Sequence, residues 1–317
     1  MSIPKIIFIL PCFNEEEILH DTISKMETVL KGLISQKKID EDSSIVFVDD
    51  GSTDSSWKMI SENMTFKPFV KGLKLSRNFG HQLAIFAGMM EMKDSCDAII
   101  TLDADLQDDL DVISIMIDKF NKGNEIVYGV PQKRISESFL KRKPAQIYYK
   151  LLRLMGVDIV ANHADFRLVS KKAAGILSKF KERNIFLRGI FPLMGLKSDK
   201  VEYDKAKRIG GKPKYSIFKL CCLAFSGITA FSYTPLRYIT FFGFLVTIGS
   251  FIYMLYVLIA KTMGHIIPGW TSLILSIYFL GGVQIFFMGI IGEYIARIYS
   301  EVKHRPRYII EENKANG

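Results

Sequence analysis

Short apolar runs and helix-patterned segments alternate through the first 130 residues of the chain. Short apolar runs stand at 5–10, 44–48, 71–75 and 98–102, with 125–128 a fifth, and segments 15–33, 55–63, 81–92 and 110–121 between them have helical character. Alternation of this kind predicts βαβ units and an α/β fold with a mostly parallel sheet. Ligands of such sheets bind beyond the carboxyl ends of the strands. Each run here ends in polar residues: Pro11-Cys12-Phe13-Asn14-Glu15, then Asp49-Asp50-Gly51-Ser52-Thr53-Asp54, then Ser76-Arg77-Asn78-Phe79-Gly80, then Asp103-Ala104-Asp105-Leu106-Gln107. Turn and cap chemistry accounts for any one of these, with Asp54 as an N-cap and Gly51 in a tight turn. Four in succession on one rim point to a site.

The pattern changes after residue 215. Residues 238–260 and 271–292 contain no charged side chain, and each is long enough to cross a hydrocarbon core of about 30 Å as a helix. Only ten residues separate them, so they are read as a hairpin. Arg237 precedes the first span, while Arg297, Lys303, Arg305 and Arg307 follow the second, which places both ends in the cytoplasm; Lys261, in the connecting loop, is the contrary charge. Residues 216–232 are apolar but too short to span, and read as an interfacial helix. The run at 5–10 is too short for a signal peptide and ends at Pro11 without a cleavage pattern. The expected organisation is a cytoplasmic catalytic domain over residues 1–215, an interfacial region over 216–236, two membrane helices within 237–297, and a basic cytoplasmic tail over 298–317.

The net charge of +9 hides an asymmetry: residues 1–129 carry 13 Lys/Arg against 22 Asp/Glu, residues 130–219 carry 22 against 7, and residues 220–317 carry 7 against 4. A basic middle attracts nucleic acid or an anionic membrane surface. The two spans and the scarcity of basic-aromatic interleaving favour the membrane and argue against nucleic acid. The four cysteines, Cys12, Cys96, Cys221 and Cys222, show no zinc spacing.

Asp103 and Asp105, arriving straight after a buried run, project at strand period two to one side. Two convergent carboxylates with the amide oxygen of Gln107 suit a hard divalent cation that leaves room for substrate phosphate oxygens. The chain has neither a GxGxxG loop nor a GxxxxGK[ST] loop, which argues against dinucleotide enzymes and P-loop kinases or ATPases.

PCFNEE, VFVDDGSTDSS, LSRNFGHQLA and TLDADLQD, in this order, resemble the inverting nucleotide-sugar transferases of glycosyltransferase family 2. ADFRLVSKKA, FLRGI, KRIGGKPKYS and FSYTPLR, followed by two spans, are similar to its polyprenyl-phosphate branch, which includes bactoprenol glucosyltransferase and dolichyl-phosphate mannose synthase. The resemblance runs from about residue 3 to residue 307. It implies a GT-A catalytic domain that moves a sugar from a nucleotide-sugar to a polyprenyl phosphate, with UDP-glucose and undecaprenyl phosphate the first choices.

Residue by residue, the resemblance implies that Pro11, Asn14, Glu15, Asp49, Asp50, Asp103 and Ala104 line the nucleotide pocket, with Asp50 touching base or ribose and Asp49 supporting it. Asp103, Asp105 and Gln107 would hold Mg²⁺ or Mn²⁺. Asp165 stands at the position of the catalytic base, and Arg134, Arg188, Arg208, Lys212, Lys214 and Tyr215 would meet donor and acceptor phosphates. Related sequences often have an Arg two residues after the Gly of YGV; here Pro131 stands there, and Arg134 takes more of that duty. A homotetramer, a downstream flippase and a lumenal or periplasmic glycosyltransferase follow from the same resemblance. No QxxRW-like segment follows Asp165, which sets the chain apart from processive polysaccharide synthases. His81 and His163 read as structural hydrogen-bonders. A lipid phosphate monoester has a second pKa near ~6 and is already largely dianionic at neutral pH, so Asp165 reads either as a base or as a group that orients Arg167 or the acceptor.

Overall fold

The computed structural model describes residues 3–131, 165–183, 185–204, 234–263 and 269–315. These fall into two compact units, one holding the described residues up to Asp204 together with those from Arg305 onward, the other holding the described part of 234–304.

The first unit is a wound sheet with helices on both faces. In chain order it comprises β1 (Ile6–Cys12), α1 (Glu16–Ser35), β2 (Ser44–Asp49), α2 (Ser56–Phe66), β3 (Val70–Leu75), α3 (His81–Met92), β4 (Ala98–Thr101), α4 (Val112–Asn121), β5 (Ile126–Pro131), β6 (Arg167–Ser170), α5 (Lys171–Leu177), α6 (Leu187–Leu193) and β7 (Ser198–Tyr203). A final strand, β8 (Ile310–Asn313), follows the second unit in sequence. The sheet order is β7-β5-β6-β4-β1-β2-β3-β8. Alternate side chains of β1 explain the layering. Ile6, Phe8 and Leu10 join Leu19, Ile23, Met26, Ile60 and Ile113 on one face, whereas Ile7 and Ile9 join Ala84, Ile85, Met89, Leu187 and Phe191 on the other. Helices on both faces bury both side-chain sets, which is why the central strands read as continuous apolar runs.

Two strands run against the parallel set. β6 lies between β4 and β5 and is antiparallel to both. β8 pairs antiparallel with β3, with Leu73 opposite Asn313 and Lys74 opposite Glu312. Residues 298–317 are therefore not simply a basic tail. Backbone pairing carries Ile310–Asn313 into the sheet, Tyr308 sets its ring edge-on against Phe86 at 6.1 Å, and Ala315 is buried in the core.

Gly51 fixes the rim where ligands are expected. Its φ of +70° is open to glycine, and a Cβ there would lie 2.4 Å from the Arg77 carbonyl carbon and 2.7 Å from Asn78 N. The β2–α2 turn thus rests backbone on backbone against the β3–α3 loop. Gly51→Ala is expected to destabilise the unit by at least about 1–2 kcal/mol, measured as a shift of the denaturation midpoint; an unchanged midpoint would refute the close approach.

In the second unit α7 (Thr234–Thr262) and α8 (Trp270–Val302) have 29 and 33 residues, about 44 and 50 Å at 1.5 Å per residue. Their segments Leu236–Tyr253 and Ser276–Val302 are long and apolar enough to cross a membrane. Large apolar side chains, among them Phe241, Phe244, Tyr253, Ile285 and Phe286, stand exposed along both helices. Exposed large apolar side chains of this kind suit lipid rather than water. Polar character gathers at the end of α8, where Arg297 pairs with Glu293 at 3.4 Å and Lys303 lies over the Tyr299 ring at 4.0 Å.

Candidate active site

The register of the antiparallel strand builds the site. Thr101, the last residue of β4, pairs with Arg167, the first of β6. Two residues after Thr101 and two residues before Arg167, Asp103 and Asp165 leave the sheet on the same rim. The Thr101 hydroxyl donates to the Asp165 carbonyl and secures that junction. α3, which starts at the same rim, adds His81 and Gln82, and α6 adds Arg188.

Asp165 is buried and surrounded by donors. Arg167 Nη2 lies 2.6 Å from Oδ1, Arg188 Nη2 donates to Oδ2 at 3.0 Å and its Nε to Oδ1 at 3.3 Å, and Gln82 Nε2 donates to Oδ2 at 3.1 Å. His81 Nε2 stands 3.3 Å from Asp165 Oδ2 and 3.3 Å from Asp103 Oδ1, linking the two carboxylates. Burial alone would raise the Asp165 pKa, but the His81 hydrogen bond and the Arg167 and Arg188 charges outweigh it and hold the carboxyl well below its usual range. Burial alone would lower the His81 pKa, and the two carboxylates raise it instead. Arg167 is fully buried, with its guanidinium 4.9 Å from the Phe191 ring centre. Arg188 keeps 37% of its side chain exposed while paired with Asp165.

Burial pushes the Asp103 carboxyl upward. Its Oδ1 is buried and makes no hydrogen bond. Asp105 is exposed; its Oδ2 accepts from Gln107 Nε2 at 2.8 Å, so Gln107 braces Asp105. Among the described residues no three His, Cys, Asp or Glu side chains converge as a metal site. A buried carboxylate oxygen that has an ion-pair neighbour in His81 but no hydrogen bond, beside a second, exposed carboxylate, nevertheless fits a hard divalent cation whose remaining ligands come from a substrate. The loop that carries the pair is anchored from below. Thr22 Oγ1 donates to the Ala104 carbonyl at 2.7 Å, and Tyr203 Oη donates to buried Asp108 Oδ1 at 2.5 Å.

The neighbouring rim holds the residues expected around a nucleoside. Asn14, at a positive φ of 55°, accepts on Oδ1 from Thr53 N at 2.8 Å, while its own N donates to Ser52 Oγ at 3.0 Å. Glu15 N donates to Ser56 Oγ at 3.0 Å, so the β1–α1 and β2–α2 loops are stitched together. Pro11 lies within β1 opposite Val48. Asp50 accepts from Phe79 N at 2.7 Å and Gly80 N at 2.8 Å, one on each oxygen. An ionised carboxylate has about four acceptor positions, so Asp50 braces the β3–α3 loop and retains capacity for a further donor. Asp49 is fully buried and accepts from Ser52 N at 3.2 Å.

Of the residues singled out in the sequence, Asp103, Asp165 and Arg188 therefore gather around His81. Gln82, and His81 as more than a structural residue, escaped the sequence reading; the usable signal was their position at the carboxyl end of the third strand. Arg134, Arg208, Lys212, Lys214 and Tyr215, and the interfacial stretch 216–232, lie outside the described residues.

The wound sheet thus brings an acidic loop to face a cluster of cations on one rim. The model of "Glycosyl transferase family 2" matches residues 7–176, and that of the "GtrB C-terminal hairpin" matches 234–298. An uncharacterised glycosyltransferase of Bacillus subtilis (strain 168) is 46% identical over 310 residues, 98% of this chain and 92% of that protein. The bactoprenol glucosyl transferase of Shigella phage SfV is 39% identical over 315 residues, 98% of this chain and 99% of that one. A mannosyltransferase from Pyrobaculum calidifontis, solved with GDP-Man and Mn²⁺, aligns with a TM-score of 0.47 at 13% identity over 96% of this chain and 88% of that one. The chain belongs to glycosyltransferase family 2 and is a glycosyltransferase with a GT-A-like, mostly parallel sheet.

Proposed function

We propose that this enzyme transfers glucose from UDP-glucose, with inversion, to a polyprenyl phosphate such as undecaprenyl phosphate at the cytoplasmic face of the cell membrane. The observation that carries the reading is the His81 bridge, which sets the Asp103 oxygen, buried and without a hydrogen bond, beside the cation-filled pocket of Asp165. A metal-bound donor diphosphate and an acceptor phosphate need such neighbours. The exposed apolar helices α7 and α8 and the likeness to a bactoprenol glucosyl transferase support a lipid acceptor.

In this reading the two rim loops with Asn14, Glu15, Asp49 and Asp50 take the nucleoside. Asp103, Asp105 and the Gln107 amide oxygen hold Mg²⁺ or Mn²⁺, which when bound offsets charge on the departing diphosphate. Arg188 takes the acceptor phosphate, with Arg134, Arg208, Lys212, Lys214 and Tyr215 assigned to phosphates from sequence. One acceptor oxygen attacks the anomeric carbon as the bond to the diphosphate oxygen breaks on the opposite face, and no proton need leave a dianionic phosphate. Asp165, saturated by donors and held ionised, keeps Arg167 and Arg188 in place as preorganised charge.

The test is a donor panel of UDP-glucose, UDP-galactose, UDP-N-acetylglucosamine and GDP-mannose, using purified full-length protein, undecaprenyl phosphate and Mn²⁺. The expected result is a chloroform-soluble product from UDP-glucose with the anomeric configuration reversed by NMR. A preference for another donor would remove the sugar assignment, and the absence of any lipid-linked product would remove the acceptor.

A further inference from the structure

Gln82 is a neutral side chain in the midst of charged ones, and it uses both ends of its amide. Nε2 donates to Asp165 Oδ2 at 3.1 Å, while Oε1 accepts from Leu187 N at 3.2 Å. The orientation is forced by chemistry: an ionised carboxylate only accepts and a backbone N–H only donates, so the reversed amide would face both neighbours wrongly. Leu187 opens α6, where N–H groups have no partner within their own helix and need one from elsewhere. The next residue is Arg188, whose guanidinium reaches both oxygens of the same Asp165 carboxylate.

The base of the Gln82 side chain is fixed too. Asp50 grips Phe79 N and Gly80 N just ahead of α3, and Leu83 N and Ala84 N close the first turn on the Gly80 carbonyl. Gln82 thus reaches from an anchored helix start to the Asp165 carboxylate and to the backbone from which Arg188 projects. It carries no net charge, so beyond the hydrogen bond it gives Asp165 its effect on the site is geometric.

We infer that Gln82 is a positioning residue that sets the Arg188 guanidinium against Asp165 and so fixes where the acceptor phosphate is received. This rests on the assignment of Arg188 to the acceptor. The consequence is specific. Loss of Gln82 displaces Arg188 and weakens use of the acceptor, while the nucleoside rim and the Asp103/Asp105 pair, which Gln82 does not touch, keep their function.

The test uses full-length enzyme in detergent, with UDP-glucose and undecaprenyl phosphate varied separately. Gln82→Leu removes both hydrogen bonds at similar size, and kcat/KM for the acceptor is expected to fall about 10- to 100-fold, mainly through a higher acceptor KM. Donor KM, and Mn²⁺ affinity measured by EPR in the presence of UDP, should stay within about twofold of wild type, as separate sites do. Gln82→Asn keeps both functional ends but is one methylene short, so it should show the same split with less risk to folding. In an Arg188→Ala background Gln82→Leu should add at most about a twofold change, because the two act through one contact. Wild-type kinetics in Gln82→Leu, an equal rise in donor KM, or an undiminished effect in the Arg188→Ala background would overturn the inference. Arg188→Ala with a wild-type acceptor KM would instead overturn the acceptor assignment of Arg188, whereas an impaired Arg188→Ala beside a normal Gln82→Leu removes only the role of Gln82.

Discussion

Asp103→Asn is expected to lower transfer at least about 10²- to 10³-fold, the scale of losing one preorganised electrostatic contact to developing charge. The carboxylate oxygen that finds no hydrogen bond inside the protein is the group with most to gain from a cation, and an amide cannot replace its charge. Folding should survive. The residue is only partly buried, lies at a strand end and contributes nothing to the apolar layers. The measurement pairs turnover with EPR-detected Mn²⁺ binding in the presence of UDP; wild-type turnover by the variant, or undiminished wild-type activity in excess EDTA, would dismiss the metal assignment.

Asp165→Asn should have the second large effect, and on stability as well as rate. Arg167 is fully buried and its Nη2 lies 2.6 Å from Asp165 Oδ1. Removing one partner of a buried pair leaves an uncompensated charge, at a cost of about 3–5 kcal/mol, a Tm decrease on the order of 10 °C for a unit of this size. Transfer should be largely lost at every pH, because Arg188 loses its anchor. The wild type should behave differently from an enzyme with a titrating base. Since the folded-state pKa of Asp165 is lowered, its contribution to stability is complete above the ordinary carboxylate value of about 3.9 and fades only as pH falls through the lower folded value. Between pH 5 and pH 8, roughly, neither Tm nor kcat should carry a limb from this group. A limb in that window that vanishes in Asp165→Asn but persists in His81→Gln, so that it does not belong to the imidazole whose pKa Asp165 helps to raise, would make Asp165 the base and dismiss its role as anchor.

The parallel core was legible because β1, β2 and β4 are buried on both faces, which leaves continuous apolar runs in the sequence, while β3 keeps two partly exposed lysines among its apolar positions. β7 and β8 were not. Ser198–Tyr203 alternates exposed and buried positions with charges on its open side, and Ile310–Asn313 has only four residues at a sheet edge. Asp103 and Asp105 announced themselves by spacing. The cluster around Asp165 did not, since it depends on β6 running antiparallel with Thr101 opposite Arg167, and no local pattern in RLVS encodes strand direction. Gln82 carries no charge, and only its two hydrogen-bond partners, 83 and 105 positions away, give it meaning.

The return of the chain to the first unit bears on how a soluble version of this enzyme would behave. A fragment ending before α7 loses β8 along with the helices, which bares the backbone of Val70–Leu75 and uncovers Phe86 and Trp57, the latter now hydrogen-bonded to Glu312. An unpaired strand flanked by apolar rings is a template for edge-to-edge association. Such a fragment should therefore aggregate where the same fragment, extended through a short flexible linker into residues 305–317, stays monodisperse.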